Sequence, residues 1–127
     1  MNSTGHQAYQ LSAIETASPE QLTLMCYDGA LKFMRRAGKA IEENDLAKLS
    51  EATGRAQAIV NELNVTLNME AGGEIARNLR DIYLFVNRHL ANAAMKREQQ
   101  GIREAMELIE GLRDSWAEAM KLGAAAA

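Results

Sequence analysis

The stretch from residue 18 to 37, SPEQLTLMCYDGALKFMRRA, constrains the fold most, because it predicts a helix that is apolar on two faces. Ser18 can cap the helix, Pro19 fits its first position, and Gln21 can complete a capping box. One apolar stripe contains Leu22, Met25, Cys26, Gly29, Phe33 and Ala37. A second, rotated stripe contains Leu24, Tyr27, Leu31 and Met34. A helix that packs once against a core needs only one stripe, so the second requires a partner.

Three more amphipathic helices follow this one, and no segment shows the alternating pattern of a strand. The four predicted helices span residues 19–43, 46–68, 73–95 and 98–122. Asp45 can cap the second helix, and Gly72-Gly73 is suited to separate the second from the third. Short connections between helices of this length place consecutive helices antiparallel. The sequence therefore predicts an all-α protein, an antiparallel up-down four-helix bundle.

The chain divides into a bundle domain at residues 18–122 and two terminal segments. Residues 1–17 are rich in polar residues and predict a mobile N-terminal segment. Three apolar side chains punctuate this segment, namely Tyr9, Leu11 and Ile14. We interpret it as a lid that docks on the bundle and detaches from it. Residues 123–127 form a short tail of glycine and alanine.

Composition excludes several classes of partner and location. The formal net charge is −3, which argues against nucleic acid as a partner because phosphate binding requires clustered positive charge. No apolar run approaches the roughly 18 residues of a spanning helix, so we expect no membrane insertion. The first 17 residues lack the apolar core of a signal peptide. These features predict a cytoplasmic protein, and the single cysteine, Cys26, is expected to be a small buried apolar residue.

The chain lacks the residue patterns of the enzymes and phosphotransfer proteins that use helical bundles. A di-iron site needs Glu-x-x-His on two helices, but Ser3 and Val86 stand three residues before the two histidines, His6 and His89. A phosphotransfer histidine needs nearby basic residues, and no lysine stands in the turn after His89. We therefore expect no cofactor, no metal and no enzymatic activity.

The surplus of apolar positions leaves three interpretations of the chain. The first is an ordinary bundle with a wide core stripe. The second is a hydrophobic groove that accepts helices from another protein. The third is a helical adaptor that associates with itself. Helical periodicity alone does not separate them.

Three motifs in order resemble the flagellar export chaperone family known as FliS. They are TASPEQLTLMCYDGALKFM at residues 16–34, NMEAGGEIARNLRDIY at 68–83, and IREAMELIEGLRDSW at 102–116. The resemblance implies a cytosolic chaperone without enzymatic activity. It would bind the C-terminal segment of flagellin, prevent premature polymerisation and assist delivery to the flagellar export apparatus. Export-gate components and regulatory proteins are further candidate partners. Tyr9 matches the tyrosine of a family segment that covers part of the flagellin surface in the free chaperone.

Eight residues are predicted to contact the partner. They are Tyr9, Leu11, Ile14, Leu24, Tyr27, Leu31, Met34 and Tyr83. This assignment directs the stripe through Tyr27 and Leu31 toward the partner and the stripe through Met25 and Phe33 toward the core. On this interpretation, Leu31→Glu weakens the complex and leaves the helices intact.

Overall fold

The computed structural model describes residues 2–126, which form five α-helices and no strand. The helices are α1 (Asn2–Thr16), α2 (Pro19–Glu42), α3 (Leu46–Val65), α4 (Met69–Lys96) and α5 (Gln99–Ala126). The all-α prediction is confirmed, and α2 to α5 correspond to the four predicted helices. The bounds that differ most from prediction are the start of α4, which comes four residues earlier, and the end of α5, which comes four residues later and takes in most of the predicted tail.

The predicted caps of α2 and α3 are present. The Ser18 side chain accepts a hydrogen bond from the Gln21 N–H at 3.2 Å, and Gln21 Oε1 accepts one from the Ser18 N–H at 2.9 Å. Asp45 Oδ1 accepts a hydrogen bond from the Lys48 N–H at 3.1 Å. These bonds satisfy backbone donors that have no partner within a helix, so they fix where α2 and α3 begin.

The N-terminal segment is helical, which the sequence reasoning did not predict. No proline interrupts residues 2–16, and the Thr16 hydroxyl donates to the Ser12 carbonyl oxygen at 3.0 Å. The helix ends before Pro19 because a proline disfavours helical geometry in the residue before it. Ser18 is accordingly extended, with ψ of 163°.

The first turn of α4 precedes a backbone break at Gly73. Asn68 caps this turn, since its Oδ1 accepts a hydrogen bond from the Ala71 N–H at 2.9 Å. Gly73 then adopts φ 54° and ψ −129°, a conformation that is strained for other residues. The double glycine thus separates one short turn from the rest of α4 and does not end α3 directly.

Helix α2 packs against α3 and α5, and α4 packs against the same two helices. Trp116 Nε1 donates to the Glu20 carbonyl oxygen at 2.9 Å, and Gln99 Nε2 donates to the Gly38 carbonyl oxygen at 2.9 Å. The end of α5 therefore lies beside the start of α2, and the start of α5 beside the end of α2. These two helices run antiparallel.

The α2 stripe that points into the core is the opposite of the predicted one. Tyr27 is 2% exposed and Leu31 5%, whereas Met25 is 37% exposed. Phe33 is only half-buried. The inward direction follows from small residues that extend the Tyr27 stripe, because alanines let neighbouring helices approach closely. These alanines, all buried, are Ala30, Ala40 and also Ala37, which the sequence reasoning placed on the other stripe.

Helices α4 and α5 approach each other closely at Gly101. A Cβ atom at this position would lie 2.6 Å from Ala93 Cβ and 3.5 Å from Ala93 Cα. Because Ala93 is buried and rigidly held in α4, no side-chain rotation would relieve that overlap. Gly101 thus sets the distance between the two helices.

Candidate protein-binding surface

The structure brings two of the predicted contact residues together inside the core. Tyr27 and Tyr83 are each 2% exposed, and their hydroxyl oxygens lie 2.6 Å apart in a hydrogen bond between α2 and α4. Burial raises the pKa of both tyrosines, because it disfavours the charged phenolate. The hydrogen bond to Tyr27 raises the pKa of Tyr83 further. The pair joins helices that are not neighbours in sequence.

The predicted outward direction of two further residues is also wrong. Leu31 and Met34 belong to the hydrophobic core, and Met34 has no exposed surface. Leu24 is half-buried at the edge of α2. The described conformation therefore leaves Leu24 as the one accessible member of the predicted α2 stripe.

The three apolar residues of α1 are exposed in the described conformation. Tyr9 is 73% exposed, Leu11 61% and Ile14 47%. A docked lid would cover these side chains, so in this conformation they are not docked on the bundle. They are available for contact with a partner or with another part of this chain.

The outer surface between α4 and α5 carries a row of apolar side chains, which we call the α4–α5 seam. On α4, Phe85 stacks on His89 with ring centroids 5.0 Å apart. His89 Nε2 lies 3.6 Å from Glu104 Oε2 on α5. Leu108 stands one turn beyond Glu104, and Phe85 one turn before His89. Because α4 and α5 run antiparallel, Phe85 and Leu108 lie on the same side of the contact between His89 and Glu104.

The seam continues toward the start of α4. Ile75, Ile82 and His89 are seven residues apart in sequence, so they share one face of this helix. The three large apolar residues of the seam with the most exposed surface are Ile75 (73%), Phe85 (43%) and Leu108 (38%). Apolar side chains aligned in this way suit the apolar face of a partner helix.

The sequence contained a signal for this seam that the site prediction missed. Phe85 and Leu108 flank the core stripes of their helices and are not part of them. The predicted contact residues include Tyr83 and omit Phe85, yet Tyr83 is buried and Phe85 is exposed. Since the two residues lie about 200° apart around α4, the direction of the core stripe decides between them.

Within residues 2–126, no three His, Cys, Asp or Glu side chains are grouped closely enough to hold a metal ion. No helix in that range has both the length and the hydropathy needed to cross a bilayer. Cys26 is half-buried, and burial raises the pKa of its thiol.

Comparison with known proteins identifies close relatives over most of the chain. The flagellar secretion chaperone FliS of Bacillus subtilis is 36% identical over 116 residues, which cover 91% of this chain and 86% of that protein. The Salmonella typhimurium protein of the same name is 37% identical over 106 residues, which cover 83% of this chain and 78% of that protein.

A solved structure and a family model agree with these relatives. The crystal structure of a bacterial flagellar chaperone matches with a TM-score of 0.76 at 20% identity, covering 92% of this chain and 98% of that one. This likeness supports the fold. The family model described as flagellar protein FliS matches residues 1–123. This chain therefore belongs to the FliS family.

Proposed function

We propose that this protein is a cytoplasmic flagellar export chaperone that acts without catalysis or a cofactor. It binds the C-terminal segment of flagellin, prevents its premature polymerisation and assists its delivery to the flagellar export apparatus. Membership of the FliS family carries the proposal, because relatives that match most of this chain are named flagellar secretion chaperones. The exposed α4–α5 seam supplies a surface suited to helical segments.

The working architecture of the chaperone is an antiparallel up-down four-helix bundle of α2 to α5, with α1 as a lid. The packing of α2 and α4 against both α3 and α5 supports a closed bundle. The lid function depends on Tyr9, Leu11 and Ile14, whose exposed side chains would be covered when α1 docks. Docked and released forms of α1 would then alternate before flagellin binds.

In this proposal, flagellin contacts the seam, and Tyr9, Leu11 and Ile14 of the N-terminal segment compete with it for part of the same surface. Phe85 and Leu108 form the centre of the contact, and Leu24 extends the accessible apolar surface on α2. The buried members of the predicted site act indirectly by holding the helices in position. These members are Tyr27, Leu31, Met34 and Tyr83.

The length of the seam matters for the free energy of binding. A flagellin segment that is disordered before binding loses conformational entropy when it becomes ordered, at a cost of several kcal/mol. Complete burial of one large apolar side chain contributes roughly 1.5–3 kcal/mol. Ile75, Phe85 and Leu108 already bury part of their surface, so they contribute less than this each. A contact that extends along the whole seam is therefore required.

Mixing the purified protein with its cognate flagellin tests the proposed function. The chaperone proposal predicts a stable one-to-one complex by size-exclusion chromatography with light scattering. A self-associating adaptor, the alternative from another class, predicts oligomers of this chain and no one-to-one complex. Export-gate components and regulatory proteins remain candidate partners to be added to the same mixture.

Removal of residues 1–16 tests the lid. If α1 competes with flagellin for the bundle surface, the truncated protein binds flagellin as tightly as the full chain or more tightly. If the truncated protein folds normally and loses all affinity, α1 is an essential contact site and the lid proposal is wrong.

A further inference from the structure

A second candidate binding site lies on another part of the bundle, in a groove between α2 and α3. We call it the α2–α3 groove. The half of the groove near the end of α2 is a pocket of about 360 Å³, with Phe33, Ala40 and Ala52 among its lining residues. Neither the flagellin proposal nor the α4–α5 seam uses these residues.

Cations surround the ring of Phe33. The Arg36 guanidinium carbon lies 5.2 Å from the ring centroid, the Arg55 carbon 5.7 Å, and Lys32 Nζ 5.9 Å. At these distances the ring face attracts the cations and restricts their positions. A guanidinium that rests on an aromatic ring still has its N–H groups free in its own plane, where they can form two parallel bonds with a carboxylate.

The ion pairs of the groove leave Arg36 without a carboxylate. Arg55 Nε lies 3.3 Å from Glu51 Oε1, and Lys39 Nζ lies 3.9 Å from Glu43 Oε1. Among the described side chains, no carboxylate oxygen lies within 4.0 Å of the Arg36 guanidinium. The pocket lining contains four cationic and two acidic residues, in a chain whose net charge is −3.

The same groove becomes apolar toward the start of α2. Gly29 and Ile59 mark the close approach of the two helices, since a Cβ on Gly29 would lie 3.3 Å from Ile59 Cδ1. Leu22 and Met25 are each 37% exposed on this side of α2. Leu22 to Arg36 spans about 21 Å along the helix, which matches about four turns of a docked helix.

We propose that the α2–α3 groove binds an acidic amphipathic helix of a second protein partner. Its apolar residues would pack on Met25 and Phe33, and its carboxylates would pair with Arg36. Charge complementarity selects this occupant. A phosphate backbone carries one charge sign throughout and would place phosphates against Glu43 and Glu51, whereas a helix can place other residues there.

A synthetic peptide tests this assignment with the full-length protein. The probe is a blocked helical peptide of about 20 residues, with leucines on one face and four glutamates in its C-terminal half. Two further peptides replace the glutamates with glutamine or with lysine. Fluorescence anisotropy measures the affinity of each peptide at low and high salt. We expect the glutamate peptide to bind about tenfold more tightly than the glutamine peptide, and less tightly at high salt.

Matched variants locate the peptide. Arg36→Glu should weaken binding of the glutamate peptide about tenfold and should strengthen binding of the lysine peptide. Arg35→Glu is the control, because Arg35 has the same charge and is also exposed but lies outside the pocket lining. Arg36→Gln keeps the test valid if the reversed charge disturbs folding, which circular dichroism monitors.

Four results would overturn the proposal. The first is that the glutamate peptide shows no binding up to its solubility limit. The second is that the glutamate and glutamine peptides bind with equal affinity. The third is that Arg35→Glu weakens binding of the glutamate peptide as much as Arg36→Glu does. The fourth is that a thymidine oligonucleotide binds more tightly than the glutamate peptide and that its binding depends on Arg36. That result would make the groove a nucleic-acid site.

Discussion

The buried tyrosine pair gives the sharpest test of how the core is assembled. Tyr27 and Tyr83 bond to each other at 2.6 Å, and neither hydroxyl has another hydrogen-bond partner among the described residues. Tyr83→Phe removes one hydroxyl and leaves the other buried without a partner. Such a group costs about 1–3 kcal/mol, so we expect the free energy of unfolding to fall by that amount.

The double variant makes the reasoning specific to the pair. When both hydroxyls are absent, no buried polar group remains unsatisfied, and replacement of both partners can be nearly neutral. The Tyr27→Phe/Tyr83→Phe protein should therefore be more stable than either single variant. Urea unfolding followed by circular dichroism gives the four free energies of a double-mutant cycle.

A coupling energy near zero would refute this account of the pair. In that case each hydroxyl would contribute independently, and the 2.6 Å contact would not be a hydrogen bond that matters for stability. A single variant as stable as the original protein would contradict it in the same way. The slope of unfolding against urea should stay constant across the cycle, since a changed slope indicates a changed unfolded or native state.

Three further predictions concern helix packing, capping and pH. Gly101→Ala should destabilise the protein by about 1–3 kcal/mol through overlap with α4, whereas Gly111→Ala, with nothing near its new methyl, should stabilise it by about 0.5–1 kcal/mol in urea unfolding. Equal changes in stability for the two variants would contradict the close approach of α4 and α5 at Gly101. Ser18→Ala should cost about 1 kcal/mol in the same assay, and no loss would argue against the capping box. Because burial raises the pKa of Tyr27 and Tyr83, both ionise first in the unfolded chain, so their stabilising contribution is full below about pH 10 and is lost progressively as the pH rises above it. A pH dependence unchanged in the double phenylalanine variant would contradict this.

Local sequence chemistry predicted the helices well. Ser18 and Asp45 predicted two helix starts because capping depends on a few adjacent residues. Short connections predicted that consecutive helices run antiparallel, which the contacts of Ala93 with Gly101 and of His89 with Glu104 support for α4 and α5. The start of α4 was less predictable, because Asn68 caps an extra turn before Gly73.

The direction of each helix face could not be predicted from local chemistry. Two apolar stripes on α2 have similar hydropathy, and only the packing of alanines beside Tyr27 distinguishes the inner one. The same ambiguity on α4 explains why the predicted contact residues include the buried Tyr83 and omit the exposed Phe85. Contacts such as Arg113 Nε to Asp28 Oδ1, at 2.9 Å, join residues far apart in sequence and have no local signal.

The most direct test of the central proposal measures flagellin binding to seam variants by isothermal titration calorimetry. The titrant is the C-terminal segment of the cognate flagellin. Phe85→Glu places a charge in the seam, and Val65→Glu is the control because Val65 is a 74% exposed apolar residue of α3 outside the seam. We predict one-to-one binding for the original protein, a loss of about tenfold or more for Phe85→Glu, and no significant change for Val65→Glu. Equal affinities for the two variants, or no binding by the original protein, would contradict the proposal that the α4–α5 seam is the flagellin-binding surface.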